Sequence, residues 1–169
     1  DYISTFSFTS HEIGLLFGNV QSGKTGQMFG ILSKAADLGF PVFLILTTDN
    51  VALQQQTIER VNSDLEGFCI CGEDDMGKFV ENSLLDPAII ILKKNNRILR
   101  KWANTLNTTG FMKGNPLFII DDEADAASLN TFINRRGNQQ SSINKYLDSI
   151  KNGATSSLYL QVTGTPQAI

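Results

Sequence analysis

Five short apolar runs, Ile13 to Phe17, Val42 to Thr47, Ala88 to Leu92, Leu117 to Asp121 and Ser157 to Val162, alternate along the chain with longer, more polar stretches. Runs this short and this apolar read as strands buried on both faces, and the stretches between them as helices packed against those faces. The predicted helices are roughly Lys24 to Leu38, Val51 to Leu65, Gly77 to Leu84, Asn96 to Leu106 and Ser142 to Lys151, with Phe68 to Cys71 as a further short strand. The alternation predicts an α/β fold, a mainly parallel sheet with helices on both faces, in a single domain over residues 1–169. Asn130 to Ser142 is polar and weakly periodic around Arg135 and Arg136, which predicts a surface loop. No internal repeat is visible.

In an open parallel sheet, ligands bind outside the carboxyl ends of the strands. Two motifs fall there. The first strand runs into Gly18-Asn19-Val20-Gln21-Ser22-Gly23-Lys24-Thr25, a complete GxxxxGKT loop, and a helix follows it. Such a loop turns its backbone N–H groups inward while the positive end of the helix points at the same spot, so it accommodates the clustered charge of a nucleoside triphosphate. The Lys24 ammonium can reach the β- and γ-phosphates of ATP, and the Thr25 hydroxyl is placed to complete the octahedral shell of Mg2+. The second motif is Leu117-Phe118-Ile119-Ile120-Asp121-Asp122-Glu123-Ala124-Asp125. Acids at the end of a buried strand are costly unless a cation or a polar network receives them, and Mg2+ is the natural recipient. Asp122 is expected to hold the ion, through water, and Glu123 to orient and deprotonate the water that attacks the γ-phosphate. Asp121 competes for the magnesium role, because a strand ending in two consecutive Asp residues fits either register.

Composition narrows the picture. A chain of 169 residues with 41% hydrophobic content suits one packed domain and is too small for two motor domains. A net charge of −3 argues against a wholesale nucleic-acid coat protein but leaves room for a local basic stripe. Lys93-Lys94-Asn95-Asn96-Arg97-Ile98-Leu99-Arg100-Lys101 is such a stripe, and Lys93, Lys94 and Arg97 are candidate nucleic-acid contacts. Ile98, Leu99, Trp102 and Leu106 give the same stretch a helical core face, so its cations fit the solvated side of a helix equally well. Thr47-Thr48-Asp49-Asn50 ends one strand and opens a helix, where its hydroxyls and N–H groups suit either a strand phosphate or a plain N-cap.

Cys69 and Cys71 stand alone as a CxC without a second pair or a nearby His, which predicts buried reduced thiols rather than a zinc site or a disulfide framework. His11, just before the first strand, is expected to be structural. No leader and no membrane-length apolar stretch is present, which predicts a cytoplasmic protein with no membrane partner. No Asp or Glu is followed two residues later by Lys, so the sequence lacks the pattern of a typical metal-dependent restriction nuclease centre. Beginning at Asp1 and ending just past Thr163-Gly164-Thr165-Pro166, the chain reads as an excised piece of a longer one.

The order of Gly18 to Thr25, Asp122-Glu123-Ala124-Asp125 and Thr163-Gly164-Thr165 resembles motifs one, two and three of superfamily 2 helicase-like ATPases. More narrowly, GNVQSGKT, Leu46 to Asn50, Ile91 to Asn95 and Ile119 to Asn130 look like the bacterial Z-one domain family, described as endonuclease or helicase-like proteins of restriction-modification and phage defence. The likeness runs over almost the whole chain. Gln21 departs from DEAD-box loops, where Gly is usual, which argues against the DEAD-box RNA helicases proper.

The resemblance implies a first RecA-like P-loop NTPase domain of a motor that hydrolyses ATP while gripping nucleic acid, DNA in this case. It implies that Asp125 bonds with Thr163 or Thr165 to couple hydrolysis to movement, and that Thr47 and Thr48 touch a strand phosphate. It also implies a second RecA-like domain of the same parent chain, which would supply an arginine finger. The alternatives from other classes are a P-loop kinase and a nucleotide-dependent switch or scaffold in a defence complex.

Overall fold

A computed structural model describes residues 5–17, 24–48, 50–122 and 137–163. The strands β1 (His11–Phe17), β2 (Val42–Thr47), β3 (Cys69–Cys71), β4 (Ala88–Lys93), β5 (Pro116–Asp122) and β6 (Ser156–Thr163) form one six-stranded sheet in the order β1-β6-β5-β2-β4-β3. Every pairing is parallel. Between them lie α1 (Lys24–Asp37), α2 (Val51–Asp64), α3 (Met76–Asn82), α4 (Asn96–Thr109) and α5 (Gly137–Gly153).

Parallel neighbours need crossovers, and because crossovers are right-handed the direction of each step across the sheet decides which face its helix covers. The steps from β1 to β2 and from β2 to β3 run one way, and α1 and α2 share a core on one face. The steps from β3 to β4, β4 to β5 and β5 to β6 run back, and α3, α4 and α5 pack on the other face. With both faces covered, β2 is buried at every position, and β4 and β5 nearly so, which is why these strands read as unbroken apolar runs. On the first face Met28, Phe29, Leu32 and Ala35 of α1 meet Phe118 and Ile120 of β5; on the second, Leu99, Trp102 and Leu106 of α4 meet Leu117 and Ile119. Alternation along β5 therefore assigns even positions to the α1 face and odd positions to the α4 face.

The predicted fold class is the one observed, an α/β sheet with RecA-like strand arrangement. Most boundaries agree to within two residues, and two differ by more. The segment expected to be a loop up to Ser142 is helical from Gly137 onward, because a helix start made of polar residues carries no apolar periodicity to reveal it. The α4 helix continues to Thr109 and stops where Gly110 takes φ 71°, a left-handed C-cap that glycine adopts without strain. Cys69 and Cys71 are free thiols whose sulfurs lie 3.8 Å apart on one face of β3. His11 Nδ1 lies 2.8 Å from the Ser157 hydroxyl and joins β1 to β6. Among the described residues no helix is long and apolar enough to cross a membrane.

Candidate nucleotide and nucleic-acid site

The strand β1 ends at Phe17 and α1 opens at Lys24, so a strand, a short connection and a helix follow one another where the GxxxxGKT motif lies. Gly18, Asn19, Val20, Gln21, Ser22 and Gly23 themselves, and the Lys24 and Thr25 side chains, lie outside the described residues. The same holds for Glu123, Asp125 and Thr165, and for the Thr163 side chain.

The sheet order brings together the strand ends from which these segments lead. β6 lies between β1 and β5, with Phe17 in register with Thr163 and Asp122 in register with Val162. The carboxyl ends of β1 and β5 are therefore level and roughly 10 Å apart, two strand spacings. The ends of β1 and β5 thus flank the end of β6.

The two aspartates at the end of β5 face opposite sides. Asp121, at an odd position, is buried on the α4 face. Its Oδ1 meets the Lys94 ammonium as an ion pair rather than a directed hydrogen bond, and its Oδ2 accepts a 2.8 Å hydrogen bond from the Tyr159 hydroxyl. Burial, and then the Asp121 carboxylate, push the Tyr159 phenol well above its ordinary pKa, so it stays protonated and donates. Asp122 is half-buried and projects to the face where Phe118 and Ile120 meet the α1 core. Only Asp122 shares a face with the helix that begins at Lys24.

The other candidate contacts are placed as follows. Thr47 is buried, and its hydroxyl is directed at the Leu92 carbonyl at 3.4 Å and the Thr48 carbonyl at 3.3 Å; Thr48 is half-buried. Asn50 caps α2 by accepting from the Ala52 N–H at 2.9 Å, the plain-cap alternative for this segment. Lys93 sits 3.8 Å from the Glu73 carboxylate, which also accepts from the Lys93 N–H at 3.2 Å. Arg97, Arg100 and Lys101 are exposed on α4, opposite the buried Leu99, Trp102 and Leu106. The basic stripe is therefore split: its first two cations are held by acids, and its last three face solvent.

Glu73 and Tyr159 were not singled out by the sequence. Glu73 lies 20 residues from Lys93 and Tyr159 lies 38 from Asp121, and only the strand order brings each pair together. A hydroxyl-bearing residue inside the apolar run Leu158-Tyr159-Leu160, at the same parity as Asp121, was the one signal available.

No family model matches the chain, and no curated protein does. Among solved structures, a nuclease-deletion mutant of the type ISP restriction-modification enzyme LlaGI, in complex with a DNA substrate mimic, superposes on 98% of this chain with a TM-score of 0.55 at 18% identity. The chain spans 17% of the length of that enzyme chain. At this identity the similarity concerns the fold: the RecA-like sheet described above also occurs within a restriction-modification enzyme.

Proposed function

We propose that this domain binds ATP with Mg2+ and is the first RecA-like half of a superfamily 2 helicase or translocase that acts on DNA in restriction or phage defence, related to the Z-one domains. The observation that carries this reading is the convergence, around the end of β6, of the strand–helix unit bearing GxxxxGKT and of an acid, Asp122, on the face of that helix. The loop from Gly18 to Gly23 cradles the phosphates, Lys24 neutralises the β- and γ-phosphates, and Thr25 and Asp122 hold the metal. Asp121 faces the α4 side, and Asp122 faces the side of the helix that begins at Lys24, which favours Asp122 for that role. Glu123 activates water, and Asp125 with Thr163 or Thr165 links hydrolysis to motion. The second RecA-like domain of the parent chain completes the site with an arginine.

DNA is favoured as the partner because the fold recurs in an enzyme solved with a DNA substrate mimic. Turnover of ATP by the intact parent, measured alone and with single-stranded DNA, duplex DNA or RNA, tests this. Stimulation by DNA is expected. Nucleotide binding without turnover under any of these conditions would instead favour a nucleotide-dependent switch.

A further inference from the structure

We infer that Asp121, held between Lys94 and Tyr159, is a positioning residue that sets the end of β5, and with it Asp122, for the metal; this rests on the ATP-site reading above. The strands β4 and β5 are not neighbours. β2 lies between them, yet the Lys94 side chain crosses over the end of β2 to reach Asp121. The Lys94 N–H donates to the Thr47 carbonyl at 3.0 Å, which fixes the root of that side chain to β2. From the other side Tyr159 of β6 donates to Asp121. One carboxylate thus links the end of β5 to Lys94, just past the end of β4 and bonded to β2, and to Tyr159, midway along β6.

The ties extend to both flanks. Lys151, in the last turn of α5, lies 5.8 Å from the centre of the Tyr159 ring and pairs with Asp148 at 2.8 Å. Lys94 directly precedes Asn95, whose side chain accepts from the Arg97 N–H at 3.0 Å and caps the basic helix α4. A displacement of Lys94 would therefore reach both the metal site and the exposed cations of α4.

An ion pair in a mostly buried place is a poor source of stability, since desolvation cancels much of the attraction. It is a good source of fixed geometry, because a carboxylate held at both oxygens leaves its own peptide little freedom. Consecutive residues in a strand face opposite sides, so the backbone that Asp121 pins is the one from which Asp122 projects to the α1 face. Magnesium demands near-ideal octahedral geometry, which makes its binding more sensitive than phosphate binding to such a shift.

The test is the gain in ATP affinity that Mg2+ confers, the ratio of Kd in EDTA to Kd with Mg2+, measured by calorimetry on the 169-residue chain. The intact chain should show a clear gain. Asp121→Asn and Lys94→Met should each cut that gain by about fivefold or more, the weight of one mostly buried charge pair, while affinity in EDTA stays nearly constant. Tyr159→Phe, which removes a single oxygen and preserves the packing, should cut it by roughly threefold. Lys94→Met with Asp121→Asn should lose no more than the worse single variant, because the two residues act as one unit. Variants shown by circular dichroism to be folded that keep the full gain, or that lose affinity equally with and without Mg2+, would overturn the positioning role. An intact chain that binds ATP in neither condition would overturn the ATP site itself, and the positioning role with it.

Discussion

Asp121 and Asp122 are consecutive in β5 and face opposite sides of the sheet, Asp121 against Lys94 and Tyr159 and Asp122 on the side covered by α1. The period of two along a strand forces this division, and the handed crossovers decide which face carries the helix that starts at Lys24. Two adjacent acids of one residue type are thereby given different surroundings, one on the α4 side and one on the α1 side.

Among the described residues, Arg97, Arg100 and Lys101 are the exposed cations of the basic stretch, and they are the ones to test as contacts to a nucleic-acid backbone. Replacing Arg97, Arg100 and Lys101 together with Gln in the parent protein should weaken binding and lower the slope of log affinity against log salt by about 0.7 to 0.9 for each phosphate no longer neutralised. Fluorescence anisotropy across a salt series reads both quantities. ATP affinity without nucleic acid should not change. An unaltered slope in a folded variant would reject this face. Replacing Lys93, Lys94 and Arg97 instead should disturb the ATP site as well, since Lys94 holds Asp121.

Much of the fold was legible in the sequence because the central strands are buried on both faces and are written as apolar runs. The GxxxxGKT pattern can be read without the fold because it is local, eight consecutive residues from Gly18 to Thr25. The partners of Lys93, Lys94 and Asp121 were not, because they depend on which strands lie side by side. In the sequence Lys93 and Lys94 look like two free cations at the head of a basic helix, yet Glu73 from the β3–α3 turn and Asp121 from β5 claim them. The helix start at Gly137 was hidden for a different reason, since a run of polar residues carries no apolar periodicity that would tell a helix from a loop.

Trp102 anchors the same region. It is fully buried, packs edge-on to Phe79 with ring centres 5.7 Å apart, and donates from Nε1 to the Glu73 carbonyl at 2.9 Å. Trp102→Ala should cost about 3–5 kcal/mol in urea unfolding. Trp102→Phe should cost less, about 1–3 kcal/mol, since it removes the hydrogen bond and part of the volume. A loss below about 1 kcal/mol for Trp102→Ala would contradict this packing.

Burial, reinforced by the neighbouring Cys69, pushes the Cys71 thiol up to about 12. The thiolate is the reactive species, so iodoacetamide at pH 8 should label the half-buried Cys69 of the folded chain and spare Cys71, as peptide mass spectrometry would show. The raised value also has a sign for stability. Above about pH 9 the unfolded chain releases this proton while the folded chain keeps it, so the Cys71 contribution should fall as pH rises from about 9 toward 12. Equal labelling of both thiols would refute the burial argument.

Glu123→Gln keeps size and hydrogen bonding but would remove the proposed base. In the parent protein it should still bind ATP while turnover falls roughly 10²-fold or more. The 169-residue chain alone should hydrolyse ATP hardly at all, and adding the second RecA-like domain should restore turnover. Full-rate hydrolysis by this chain alone would point to an arginine in cis, with Arg135 and Arg136 the first to replace.

Lys24 bears most directly on the ATP site. Titration of the chain with ATP and Mg2+ by isothermal calorimetry should show saturable binding at one site, and Lys24→Ala should abolish that binding or weaken it severely while the protein remains folded, because the principal cation facing the β- and γ-phosphates is removed. Absence of binding by the intact chain, or binding by Lys24→Ala as tight as that of the unaltered protein, would contradict it.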